Sequence, residues 1–149
     1  MNQRELMRHL SVLFRQRHRA LRHQFEKYDI GTGEWSVLAL LSRHKAGMEQ
    51  TMISRELGLE KTTTARELMS LEKKGYIIRE QAENDKRKKI VYVTEKAEEK
   101  IPLVKDAGNQ WLRNVISGIN EGELILFDKV IRKMTANAES IRERVEEDE

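Results

Sequence analysis

Apolar residues along the chain fall into blocks of distinct period. From about residue 3 to 27, Leu6, Leu10, Leu13 with Phe14, Leu21 and Phe25 keep to one face of a helix. Asp29-Ile30-Gly31-Thr32-Gly33 interrupts it, because two glycines and two short polar side chains favour turns and caps. A second helix is expected from near Gly33, with Trp35, Val37, Leu38, Leu40 and Leu41 giving an apolar face broad enough for the centre of a core. It should end by Ala46-Gly47.

A short helix is expected over Glu49 to Leu57, with Met52, Ile53 and Leu57 apolar and Gly58 where a helix C-terminus favours a left-handed residue. Lys61-Thr62-Thr63-Thr64 then supplies hydroxyls able to cap a further helix, whose expected buried stripe is Ala65, Leu68, Met69 and Leu71, closed by Gly75. Short helix, glycine turn and second helix make a helix-turn-helix, an arrangement that presents its second helix to a groove. Tyr76-Ile77-Ile78 and Ile90-Val91-Tyr92-Val93 are β-prone, and the polar, basic stretch Gln81 to Lys89 joins them as a wing.

Thr94 and Glu95 open the next helix, which shows two apolar rows: Ala97, Ile101, Val104, Trp111 and Val115, and Leu103, Leu112, Ile116 and Ile119. Two rows imply two neighbours, and Pro102 should bend this helix. After Ser117-Gly118-Ile119-Asn120, a capping box of Asn120 and Glu123 leads into Leu124, Phe127, Ile131, Met134, Ala138, Ile141 and Val145, a heptad seam. These rows exceed what one small winged domain can cover, so a second copy is expected against them; a self-contained helical hairpin is the alternative. The expected class is therefore mainly α with a small β wing. A winged helix-turn-helix domain, 31–97, is flanked by an N-terminal helix, 1–30, and a C-terminal helical dimerisation region, 98–149.

Composition narrows the function. At 149 residues the chain fits one compact unit. The absence of Cys excludes disulfides, thiolate metal sites and thiol redox sensing. The longest apolar run, Val37 to Leu41, is far short of a membrane span, and Arg4, Glu5, Arg8 and His9 leave no secretory signal, so a cytoplasmic location is expected. Residues 1–30 hold seven Lys/Arg against three acids, whereas from residue 91 onward nine bases face thirteen acids. A basic front suits a polyanionic partner.

Reading DNA requires side chains that reach base edges and cations that hold phosphates. Lys61, Thr62, Thr63, Thr64 and Arg66 offer both at a helix N-terminus; Arg66 is long enough to fork onto a guanine, and Arg66 and Thr63 are the expected base contacts. The plainer alternative is that the threonines only cap the helix. Lys86, Arg87, Lys88 and Lys89 give the wing the charge density that releases counterions from a phosphate backbone, and Asp85 stands where it can hold Arg87 by a forked pair.

This order of elements resembles the MarR family of winged helix-turn-helix regulators. The resemblance is carried by Ile53-Ser54-Arg55-Glu56-Leu57-Gly58-Leu59, by Leu68-Met69-Ser70-Leu71-Glu72-Lys73-Lys74-Gly75-Tyr76-Ile77, by the Asp-x-Arg signature Asp85-Lys86-Arg87, and by Val93-Thr94-Glu95-Lys96-Ala97. It is weaker over 1–48 and 99–149, although Glu34-Trp35 sits where the family's second helix begins; Gly31-Thr32-Gly33 departs from the family's Thr cap and Pro. The resemblance implies a homodimer paired through the first helix, 1–30, and the last two helices, an inverted-repeat operator, Arg87 inserted in a groove with Asp85 as its support, repression, and release by a small aromatic carboxylate or phenol. Arg15 and Trp35 are the candidates for that ligand; the alternative places Trp35 in the core and the arginines on a solvated face.

No cofactor is expected. His18 and His23 are five apart rather than three or four, which argues against a metal site. The chain has no phosphate loop, nucleophile elbow or HExxH, so catalysis is not expected. The rival reading is a helical adaptor that joins a partner protein without touching DNA.

Overall fold

The computed structural model describes residues 2–147. Two compact units are present, one reaching Leu112 and the other beginning at Arg113. The first begins with α1 (Gln3–Glu26), where Asn2 Oδ1 accepts from the Arg4 amide at 3.0 Å. Only the C-terminal end of its apolar stripe, Leu21 and Phe25, enters the core; Met7, Leu13 and Phe14 remain exposed.

Helix α2 (Thr32–Leu41) starts one residue earlier than expected, because the Gly31 amide donates to Glu34 Oε2 at 2.7 Å. It is surrounded: Trp35, Val37, Leu38, Leu40 and Leu41 are all buried. It stops well before Gly47, and the residues in between turn the chain into β1 (Met48–Glu49), a strand too short to leave a periodic signal. Gly47 has φ of +83°, and a Cβ there would lie 2.5 Å from the Tyr92 ring, so glycine is required at this turn.

Helix α3 (Gln50–Leu57) ends at Gly58, whose φ of 61° lets the Leu59 amide reach the Ser54 carbonyl at 2.9 Å. Helix α4 (Lys61–Lys73) follows and packs Leu68 and Leu71 against Ile53 and α2. Met69, expected in that buried stripe, points to solvent instead, because the step from Leu68 to its neighbour swings about 100° round the helix.

Strands β2 (Ile77–Gln81) and β3 (Lys89–Val93) pair antiparallel from Ile77↔Val93 to Gln81↔Lys89, and β1 adds to the other edge of β3 to give the order β1-β3-β2. The ladder runs further than β-propensity indicated, which shortens the wing loop to residues 82–88. Val91 and Ile77 bury their side chains in the core. Thr94 then opens α5 (Glu95–Val115): its Oγ1 accepts from the Ala97 amide at 3.4 Å and donates to the Gly75 carbonyl at 2.7 Å. The helix continues through Pro102, burying Ala97, Ile101 and Val104 while Leu103, Leu112 and Val115 stay exposed.

In the second unit, Asn120 and Glu123 form the expected reciprocal box, at 2.9 and 3.0 Å, at the head of α6 (Glu121–Glu147). Of the heptad seam, Leu124, Ile131 and Met134 are half-buried and Phe127, Ile141 and Val145 are exposed. The fold is mostly helical with one small antiparallel sheet. Among the described residues no helix is long and apolar enough to cross a membrane.

Candidate nucleic-acid interface

The start of α4 differs from the threonine cap inferred from composition. Glu60 occupies the N-cap position without a side-chain bond, and Thr62, Thr63 and Thr64 lie inside the first turn. Thr64 is 0 % exposed, with an Oγ1 that has no partner among the described residues, so it belongs to the core and cannot reach a base. Its place is fixed by phase, since it lies one turn before Leu68 on the buried side. Thr63 is half-buried. Thr62, Arg66, Met69 and Lys73 form the outward stripe opposite Thr64, Leu68 and Leu71. Arg66 extends into solvent with only a loose 3.9 Å ion contact to Glu67.

Two polar assemblies, one of them buried, hold the C-terminal end of this helix in place. At its C-terminal end, Glu34, 3 % exposed, accepts from Gly31 N, Ser70 Oγ and Lys74 Nζ, the last at 2.9 Å. Lys74 also donates to the Asp29 carbonyl at 3.0 Å. Burial pushes the Glu34 carboxyl up, but the bonds from Gly31, Ser70 and Lys74 outweigh it and hold the group below its ordinary value. Lys74 is driven down by burial, and Glu34 and Asp29 more than reverse this. On the wing side, Arg79 in β2 grips Glu72 of α4 with Nε and Nη2, which holds Glu72 below the usual carboxylate range and ties the sheet to the C-terminal end of α4.

In the wing, the Arg87 amide and Nε both bond to Asp85 Oδ1, at 2.9 and 3.5 Å. The expected forked pair is therefore replaced by a hold on one oxygen, because a side chain two residues back meets the backbone donor first. The Arg87 side chain is 93 % exposed and the loop presents it outward. Lys86 is also exposed, whereas Lys88 leans on Glu49 of β1 at 3.6 Å. A hollow of about 330 Å³ brings Lys61, the first residue of α4, together with Arg87 and Lys88. Arg79 and Lys89 line it too; reading by local charge runs missed Arg79 because it stands alone in a strand whose alternation aims it at this hollow. Glu49 is the single acid on its wall.

The two ligand candidates are not brought together. Trp35 is buried against Phe25, with ring centroids 5.8 Å apart, and serves the core. Arg15 lines a separate open hollow of about 290 Å³ with Phe14, His18, Arg19 and Arg22. Among the described residues no group of His, Asp and Glu has the arrangement of a metal site.

The MarR family model matches residues 32–89, the span from α2 to the first residue of β3. Over the longer chain, a MarR transcriptional regulator from Methanosarcina mazei Go1 is 27% identical, covering 93% of this chain and 99% of its own at a TM-score of 0.83. The transcriptional regulator SlyA shares the fold at 22% identity and a TM-score of 0.88, covering 94% of this chain and 98% of that one. A mutant MarR from E. coli, complexed with operator DNA, shares it at 18% identity, with 87% and 93% covered and a TM-score of 0.78. With Gly58 at the turn, α4 tethered at its C-terminal end and Asp85-Lys86-Arg87 at the tip of the wing, residues 32–89 match the MarR family model and the chain has the winged-helix fold of the MarR and SlyA transcriptional regulators.

Proposed function

We propose that the chain reads double-stranded DNA in the cytoplasm as a homodimeric repressor of an inverted-repeat operator, and that a small aromatic ligand releases it. The observation carrying this reading is the hollow that joins the first residue of α4 to the wing, with five cations against one acid on its wall. Such a face meets phosphates from two elements at once while Thr62 and Arg66 project beyond it toward base edges. The E. coli MarR of the same fold is complexed with operator DNA, which supports the same docking here. Lys86 and Arg87 reach into the adjacent minor groove, where a narrow A/T stretch attracts an arginine.

The second copy is inferred from apolar surface. Met7, Leu13 and Phe14 of α1, Leu103 and Leu112 of α5, and Phe127, Val130, Ile141 and Val145 of α6 are exposed, more than a monomeric surface ordinarily leaves in rows. A twofold dimer would place half-sites roughly one helical turn, about 34 Å, apart and cover roughly 20 base pairs, enough to block polymerase. Release is supported by the Phe14, Arg15, Arg19 and Arg22 hollow, where a guanidinium beside an aromatic ring suits a carboxylate or phenol.

Selection of bound fragments from random duplexes, repeated with a panel of aromatic carboxylates, tests this reading. A recovered palindrome whose binding one compound abolishes is the expected result; recovery of no common sequence would refute it. Replacing Phe127 and Ile141 together by lysine should shift sedimentation from dimer to monomer, since each buried side chain of this size contributes about 1.5 to 3 kcal/mol. An unchanged sedimentation coefficient, or a monomeric wild type, would exclude the dimer.

A further inference from the structure

The outward stripe of α4 contains one residue that neither charge nor packing accounts for. Thr64, Leu68 and Leu71 set the direction of the core, and at about 100° per residue Thr62, Arg66, Met69 and Lys73 fall about 130° to 175° away from it. Three of the four are polar. Met69 is a large apolar side chain, 63 % exposed, set between Arg66 and Lys73 on this stripe. It touches no part of the core and lies outside the terminal helices whose apolar rows await a second copy.

We propose that Met69 determines base preference by packing on a thymine C5 methyl in the major groove, one base pair beyond the pair that Arg66 reads. The inference rests on the DNA-reading function proposed above and names part of its target. Three residues of helix advance about 4.5 Å, close to the roughly 3.4 Å separating stacked base pairs, so two side chains on one stripe address neighbouring pairs. The thymine methyl is the one apolar group that a base edge offers in the major groove, and it is the feature that an unbranched, polarizable thioether can cover. The cations on either side, Arg66 and Lys73, fix the occupant of this surface as a polyanion rather than an apolar protein face. Each half-site is thus expected to carry a thymine beside the Arg66-dependent position, on the side toward the C-terminus of α4.

The test begins with the operator selected by the full wild-type chain. Each thymine is replaced in turn by uracil, which deletes the methyl and leaves every hydrogen-bonding group in place, and affinities are measured for wild type, Met69→Ala, Met69→Leu and Arg66→Ala. At one position per half-site uracil should weaken wild type about fourfold, the worth of one buried methyl. Met69→Ala should bind both operators equally, Met69→Leu should keep the discrimination, and Arg66→Ala should keep it while losing preference at the adjacent pair. Because Met69 is exposed, its variants should melt with wild type. Methyl sensitivity that survives in Met69→Ala, or a selected operator with no methyl-sensitive thymine beside the Arg66 position, overturns the inference and leaves DNA reading intact. Failure to select any operator overturns both.

Discussion

Lys74→Met is expected to cost about 3 kcal/mol of folding stability, because it strips the ammonium from a carboxylate that is almost wholly buried. Glu34 would keep only the Gly31 amide and the Ser70 hydroxyl, both neutral, and a buried charge with neutral partners is costly. The loss should fall toward the lower end of the range for such pairs, since a quarter of the Lys74 side chain meets solvent. Denaturant midpoints measure it. Adding Glu34→Gln to Lys74→Met should restore much of the stability, because no unpaired charge then remains. A single variant within about 1 kcal/mol of wild type, by the scale of surface substitutions, would show that the pair contributes little.

The same cluster fixes a pH dependence. Glu34 titrates below its ordinary 4.5 in the folded chain, so its contribution is complete above that value and is lost as pH falls from 4.5 through the lower folded value. Lys74 titrates above its ordinary 10.5, so its contribution is complete below 10.5 and is lost as pH rises through the higher folded value. Glu34→Gln should flatten the acid limb of the stability profile.

Arg87→Ala should leave folding untouched, given its exposure, and weaken operator binding about ten- to a hundredfold for each charge-assisted hydrogen bond to DNA that it removes. The slope of log affinity against log salt should become shallower by about one unit per wing, the signature of one phosphate no longer neutralised. Asp85→Ala separates charge from orientation: Arg87 keeps its charge but loses its anchor, so affinity falls while the slope holds. Salt titrations of a selected operator give both numbers. An Arg87→Ala slope equal to wild type would mean that the wing does not touch DNA.

The residues that signalled most clearly were those whose local chemistry decides their conformation. Gly58 had to be left-handed after an eight-residue helix, Asn120 and Glu123 had the spacing of a reciprocal cap, and Asp85 and Arg87 were close enough to interact without help from the rest of the fold. The threonine run misled because hydroxyls near a helix start suit a cap and an interior turn equally. Only the phase set by Leu68 and Leu71 sends Thr64 inward and Thr62 outward. Trp35 takes a core position because α2 packs its apolar residues against several neighbours and buries Trp35, Val37, Leu38, Leu40 and Leu41 together.

Periodicity, glycine placement and charge runs thus establish the order of helices, the turn and the basic wing of this chain, because each depends on residues within a few positions of one another. Strand β1, the Glu34–Ser70–Lys74 cluster and the hollow joining Lys61, Arg79 and Arg87 depend on contacts across tens of residues. No local preference encodes those distances; they exist once α2 is enclosed and β3 has a partner on each side.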